Sequence, residues 1–390
     1  MKRVRANRSV SVIAMAPLCA GFFTVATARA SVSFEPIGML PTGEYSLVGG
    51  ISPDGNVVVG QSEQFEPSVG ATVPRAVRWQ AGTLTSLGFV NFAPIASMGF
   101  DASLDGSVIV GREVNPVGMG SAPLAWRWEA GVMTQLPFLP GGDASNAYAV
   151  SYDGSTIVGD GSVGANFFNA ARWINGVAQD AGTATGDDND LAGMSGISGD
   201  GLVTSGSSEF PGGDYHAFRN DGGWTDLGTI DNVFVSNGND ISGNGNVVVG
   251  VSDILNGVVE AFRWENGVMT GLGDLPGGAF DSEALATNGD GGVVVGRGAT
   301  ALGDEAFLWT ANGGMQNMKD VLEGAGLDLT GWTLTDATAV SADGLVIAGN
   351  GINPDGFNEG WVARIPEPTT ASLLAAMLGV AIIRRRRAQP

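Results

Sequence analysis

Seven times along this 390-residue chain an Asp-Gly or Asn-Gly pair opens a short β-prone run, with its first residue at Asp54, Asp105, Asp153, Asp200, Asn244, Asp290 and Asp343. Six residues after each comes another glycine, from Gly60, Gly111 and Gly159 through Gly206 and Gly250 to Gly296 and Gly349. The copies are 44 to 53 residues apart, a period that belongs to propellers and solenoids. An Asp-Gly pair between two β-prone runs predicts a two-residue hairpin turn with left-handed backbone angles. Asn244 stands in for Asp in one copy. These acids therefore read as turn residues rather than catalysts, because an amide cannot act as a general base.

About twenty residues after each pair a third strand is expected, ending in AVRW at Trp79, AWRW at Trp128, AARW at Trp173, AFRN at Asn220, AFRW at Trp264, AFLW at Trp309 and GWVA at Ala363. A short glycine turn then leads to a fourth strand. Four antiparallel strands in seven copies make an all-β fold, a seven-bladed β-propeller. VSFEPIGMLPTG, residues 32–43, aligns with the fourth strand and following loop of the other copies, and the last copy stops after its third strand. The N-terminal strand is thus expected to complete the last blade and close the ring, which removes two open edges. One short helix is expected in the last repeat, where Met318, Val321 and Leu322 share helical spacing and Gly324 ends the run.

Val57–Val59, Val247–Val249 and Val293–Val295 are continuous apolar runs, as strands covered on both faces require. The framework tryptophans read as blade packing. An aromatic platform for carbohydrate, which needs exposed rings, suits Trp126, Trp224 and Trp332 better, since they lie off the frame. Arg78, Arg127, Arg172, Arg219 and Arg263 recur beside the framework position, a pattern of structural ion pairs rather than of a binding site.

Charge is segregated. Outside the two ends the chain carries 10 basic against 39 acidic residues, a net of −29. Such a surface repels phosphate backbones, which argues against nucleic acid as a partner. Both ends read as addresses, which divides the chain into residues 1–30, 31–365 and 366–390. Residues 1–30 have a basic start at Lys2, Arg3, Arg5 and Arg8, an apolar stretch, and Ala28-Arg29-Ala30 before Ser31. That is the form of a secretory signal with a small-residue cleavage site, read by Sec-type export machinery. The one cysteine, Cys19, lies inside it, so the exported body has neither disulfides nor thiolate ligands. The tail reads Pro366-Glu367-Pro368, then an apolar stretch from Thr369 to Ile383, then Arg384, Arg385, Arg386 and Arg387. The apolar stretch spans roughly 22 Å as a helix against a hydrocarbon core of about 30 Å, a short transmembrane span with its arginines on the cytoplasmic side.

The tail resembles the PEP-CTERM sorting signal, with triplet, short helix and basic cluster in order. The resemblance implies an exosortase as partner, transient anchoring in the inner membrane, cleavage near the triplet, and a final place outside the cell or on its surface. The body resembles the HAF family of extracellular repeats, through LPGG at Leu139–Gly142 and Leu275–Gly278, AFRW at Ala261–Trp264, and DLTGWTLTDATAVSADG at Asp328–Gly344. That resemblance implies a secreted or surface-exposed bacterial protein and transfers no reaction.

The sequence offers few groups for chemistry. His216 is the sole histidine, without a recognisable nucleophile and base arrangement around it, and reads as a loop or edge residue. Asp187, Asp188 and Asp190 form an acidic loop that is the one calcium candidate, although it lacks the glycine and final Glu of an EF-hand. No catalytic residue and no other cofactor is indicated. Two functions stay open: a noncatalytic surface or matrix module that binds polysaccharide or protein, and a glycosidase-like hydrolase using paired carboxylates at the channel of the propeller.

Overall fold

Each repeat folds as four antiparallel strands, and its repeating residues are the ones such a blade needs. The first blade runs through Ser46–Ile51, Val57–Glu66, Ala71–Gln80 and Thr83–Gly88. Six further sheets of four strands follow, giving a seven-bladed β-propeller. The computed structural model describes residues 32–68, 70–90, 96–114, 122–164, 167–255 and 257–365. The expected signal at 1–30 with Cys19, the Pro366–Pro368 triplet, the expected span at Thr369–Ile383 and the terminal arginines lie outside the described residues. Among the described residues no helix is long and apolar enough to cross a membrane.

The last blade closes as the alignment predicts. Its own strands are Thr333–Val340, Val346–Ile352 and Asn358–Arg364, and Ser33–Pro36 adds the fourth, pairing Ser33 with Arg364 and Pro36 with Trp361. Phe34 anchors this strand, edge-on to Trp332 at 5.1 Å and stacked on Trp361 at 5.9 Å. Sheet edges at both chain ends are thus covered by one another. The expected helix forms at Met318–Gly324, capped by Asn317, whose side chain accepts from the Lys319 and Asp320 amides. Met318 and Leu322 are fully buried in the last blade's core.

The repeated turn differs from the expected one. Only its glycine has a left-handed angle, as at Gly55 with φ +72°, and the connection runs from Ser52 to Asn56. A serine two residues before the acid organises it. Ser52 Oγ donates to Asp54 Oδ1 at 2.6 Å and accepts from the Val57 amide at 2.9 Å, while Asp54 Oδ1 also accepts from the Asn56 amide at 3.0 Å. The same net recurs at Ser151 with Asp153, Ser198 with Asp200 and Ser341 with Asp343. The acid serves purely as an acceptor, which is why Asn244 replaces it, its Oδ1 taking Ser242 Oγ at 2.8 Å and the Asn246 amide at 3.0 Å.

These turns also bind the blades into a ring. The links are Asp54 N to Leu104 O, Leu104 N to Tyr152 O, Tyr152 N to Gly199 O, Gly199 N to Gly243 O, Asn244 N to Gly289 O, Gly289 N to Ala342 O, and Ala342 N to Pro53 O. One backbone hydrogen bond crosses every blade boundary, and the last returns to the first blade. Arginines of the third strands add further ties, Arg219 Nε to Gly245 O at 2.8 Å and Arg263 Nε to Gly291 O at 2.9 Å. Three of the five expected ion pairs form, Arg127 with Glu129, Arg219 with Asp221 and Arg263 with Glu265, while Arg78 donates to the neutral Gln80 and Arg172 pairs with no acid among the described residues.

Tryptophans pack between blades. Trp79 and Trp173 are buried, and the valine runs Val57–Val59 and Val247–Val249 are inaccessible. Trp126 corrects the platform reading: it is 0% exposed. It sits on the frame after all, opposite Gly111, in the place that Phe262 and Phe307 take opposite Gly250 and Gly296. Trp224 lies edge-on to Phe218 at 4.5 Å and opposite Asn220, so it supplies the ring that AFRN lacks. Trp332 is committed to Phe34.

Candidate functional site

The first strand of each blade is innermost, and together these strands wall the central channel. All seven inner strands slip register at the same place, between Val48 and Gly50 in the first blade and at the matching position in the rest. A β-bulge leaves one residue unpaired and re-aims it. The bulged residues are Gly49, Phe100, Tyr148, Ser195, Asn239, Leu285 and Thr338, and all of them line a channel cavity of about 270 Å³. Their identities vary from blade to blade. The framework therefore places one freely chosen side chain per blade around a common space.

Next to the bulge comes the position four residues before the turn acid. Five blades have Gly50, Ala149, Gly196, Ala286 or Ala339 there, and two have Asp101 and Asp240. These carboxylates stand three blades apart in a ring of seven, as nearly opposite as such a ring permits. Each ties its blade to the next. Asp101 accepts from the Ala102 and Val150 amides, both at 2.8 Å, and Asp240 from the Ile241 amide at 2.7 Å and the Thr287 amide at 2.8 Å. Burial pushes both carboxyls up to about 7, and for Asp101 the charge of Asp240 adds to the effect.

At the turn end the channel narrows to a cavity of about 80 Å³ lined by Tyr152, Asp101 and Asp240. The Tyr152 ring crosses the turns of two neighbouring blades. A Cβ on Gly199 would come within 2.7 Å of its ring carbons, and one on Gly243 within 2.2 Å of its hydroxyl. Burial, then Asp240 and Asp101, push the Tyr152 hydroxyl up to about 12.

At the opposite end, where the longer loops connect the strands, the rim is polar. Arg112 lies over the Phe100 ring at 5.5 Å, Phe100 lies 5.7 Å from Tyr148, and Asn146 donates to Asp160 at 2.7 Å. Burial pushes Asp160 up to about 6 against the hydrogen bonds from Asn146 and Tyr148. Across the rim Arg297 is held by Glu283 at 2.9 Å and Asp304 at 2.8 Å, and Asn350 donates to Asp336 at 2.8 Å. Three buried polar atoms on this wall, Gln61 Oε1, Arg112 Nε and Thr338 Oγ1, have no hydrogen-bond partner.

The groups singled out in the sequence lie elsewhere. Asp187 accepts from Asn189, Asp188 from Asn169 at 3.1 Å, and Asp190 from Thr185. The three carboxylates are thus turned to separate donors, and among the described residues no group of three acids, histidines or cysteines is arranged to hold a metal ion. His216 lies within the third strand of its blade, Tyr215–Asn220, opposite Ser208, rather than in a loop or at a sheet edge, and its Nδ1 pairs with Asp226 at 2.9 Å. Asp101 and Asp240 escaped the sequence reading, although a signal was present: they are the only acids at a repeat position otherwise held by Gly or Ala.

Solved propellers share this architecture. A prolyl endopeptidase superposes with a TM-score of 0.53 at 10% identity, over 84% of this chain and 51% of that one. An oligogalacturonate lyase in complex with manganese superposes at 0.50 and 13% identity, over 87% of this chain and 98% of that one. TolB from Acinetobacter baumannii gives 0.45 at 13% identity, over 68% of this chain and 63% of that one. At such identities the likeness is one of fold alone. No protein family model matches the chain, and no curated protein matches it.

Proposed function

We propose that this protein is an exported surface or extracellular-matrix propeller, a noncatalytic binding module that takes a polysaccharide segment into its channel from the loop end. One observation carries this reading. The residues that depart from the repeat converge on the channel wall, where aromatic Phe100 and Tyr148 stand beside polar Ser195, Asn239 and Thr338 around about 270 Å³. Aromatic faces with a few placed polar groups suit a hydroxyl-rich ligand, and the volume is near the lower end of small-molecule sites. The scaffold that presents them is stiff, being tied at every blade boundary.

The test is a glycan-binding screen on the full chain, with and without calcium. Phe100→Ala and Tyr148→Ala are each expected to weaken the best glycan at least tenfold in protein that circular dichroism shows to be still folded. Binding unchanged by both substitutions would remove the channel as the site. The hydrolase reading draws on the raised Asp101 and Asp240 carboxyls. Against it, both oxygens of each carboxylate are engaged by backbone amides of two blades, which suits a fixed wall better than a proton carrier. Cleavage of the bound glycan would reverse that judgement.

The export part of the proposal rests on the two ends of the sequence, with the resemblances to HAF repeats and to PEP-CTERM signals in support. Intact mass of the protein recovered outside the cell is expected to begin at Ser31 and end near Pro368. Retention of Arg384–Arg387 on that protein would rule out exosortase processing.

A further inference from the structure

Asp101 and Asp240 face one cavity without a cation to match them. Of the arginines nearest the rim, Arg112 lies over Phe100 and reaches Asn146 at 3.4 Å, and Arg297 is held by Glu283 and Asp304; neither pairs with Asp101 or Asp240. Neither channel carboxylate forms an ion pair with a lysine or arginine among the described residues. In its ionised form each carboxylate accepts one amide on each oxygen and keeps one lone pair free on each, since it offers about four acceptor sites. The same cavity is walled by Tyr148, whose ring face attracts cations, and by Phe100, one face of which Arg112 already covers. Thr338 Oγ1, buried on this wall and without a partner, offers a further acceptor. The body around it carries a net −29, which draws cations toward the channel mouth.

Resting on the glycan-binding reading above, we infer that the channel recognises a protonated primary amine on that glycan, an amino-sugar unit whose ammonium group sits between Asp101 and Asp240. The ammonium has three donors and no acceptor, which matches a wall of free carboxylate lone pairs and an orphaned hydroxyl. The sugar ring then lies against Phe100 and Tyr148. A lysine side chain offers the same ammonium but an apolar stem, whereas Ser195 and Asn239, whose donors are held by Gly238 O, Glu283 and Ala284 O, keep acceptor oxygens that fit sugar hydroxyls better.

The test uses the purified full chain and two oligosaccharides of equal length, β-linked glucosamine and its fully N-acetylated counterpart, with a lysine-containing peptide as third probe, in titration calorimetry at pH 7. The free-amine glycan is expected to bind at least tenfold more tightly than either of the others. Asp101→Asn and Asp240→Asn are each expected to lose at least tenfold of that binding. Because an amide forgoes one of the two backbone donors and weakens the blade contact, the unmutated protein supplies a second readout. Methylammonium chloride should displace the free-amine glycan where sodium chloride at equal ionic strength does not. Equal or tighter binding of the N-acetylated glycan overturns the amine inference and leaves the channel a glycan site. Tighter binding of the peptide overturns the sugar as the amine's source, and equal displacement by sodium overturns specific ammonium recognition. If neither glycan binds, the glycan reading falls and the inference with it.

Discussion

Gly159→Ala is expected to destabilise the protein by about 3 kcal/mol or more, although it adds a single methyl group far from any loop. The backbone there is ordinary extended strand, so the cost is one of space. A Cβ on Gly159 would sit 1.9 Å from the Asn146 carbonyl oxygen of the inner strand, and nothing but the backbone itself can give way. Every copy of the repeat has the same constraint, with the corresponding carbonyl 1.9 Å from a Cβ on Gly60, Gly111, Gly206 or Gly250. In several blades an aromatic ring closes the other side, as Trp126 does at 2.5 Å from the Cβ of a substituted Gly111. Gly223→Ala makes the contrast, since nothing lies within 4 Å of its added Cβ and the change should fall within about 0.5 kcal/mol. Chemical denaturation of the two variants distinguishes them. Equal stabilities would show that the inner strand shifts aside at no cost, and that the repeated glycine has some other cause.

The second large effect concerns pH. Asp101 and Asp240 stand at about 7 in the fold against the usual 3.8, because burial disfavours their charge. Between those values the folded protein binds more protons than the unfolded chain, so stability falls as pH rises from about 4 to 7 and levels off above. Each carboxyl contributes on the order of 4 kcal/mol to that loss. The turn acids work in the opposite sense at lower pH. Hydrogen bonds from Ser107, Ser151 and Ser198 hold Asp105, Asp153 and Asp200 below their ordinary range, so their contribution is lost only as pH falls below it. Thermal unfolding should therefore come on the order of 10 °C higher at pH 5 than at pH 7.5. An unfolding temperature equal or lower at pH 5 would mean that both channel carboxyls are already ionised in the fold at pH 5.

The two effects have different visibility in the sequence. The repeated glycine stands out because the same steric demand recurs in every blade, and repetition marks it. The turn serines, Ser52, Ser151, Ser198 and their equivalents, recur in six of the seven copies, with Asn288 in the other, yet a side chain that caps a turn looks like any other polar loop residue in sequence. Trp126 is hard to place from sequence for the reverse reason. A variable large residue at a packing position resembles an exposed one until the glycine opposite it is known. The acidic loop at Asp187–Asp190 drew attention by its charge density, but neighbouring amides and hydroxyls satisfy it locally. Local density of acids says little about a site; convergence does.

The sequence by itself determined the number of blades, their strand order, the closure by Ser33–Pro36 and the helix at Met318–Gly324. All of these follow from period, alternation and turn residues, which act over short stretches of chain and need no knowledge of distant neighbours. Only the tertiary structure decided that Asp101 and Asp240, 139 positions apart, face one cavity. The same holds for Tyr152, whose ring crosses turns of two other blades, and for the bulges that turn one side chain per blade inward. These depend on how the ring closes on itself, and closure brings residues together by blade number rather than by sequence.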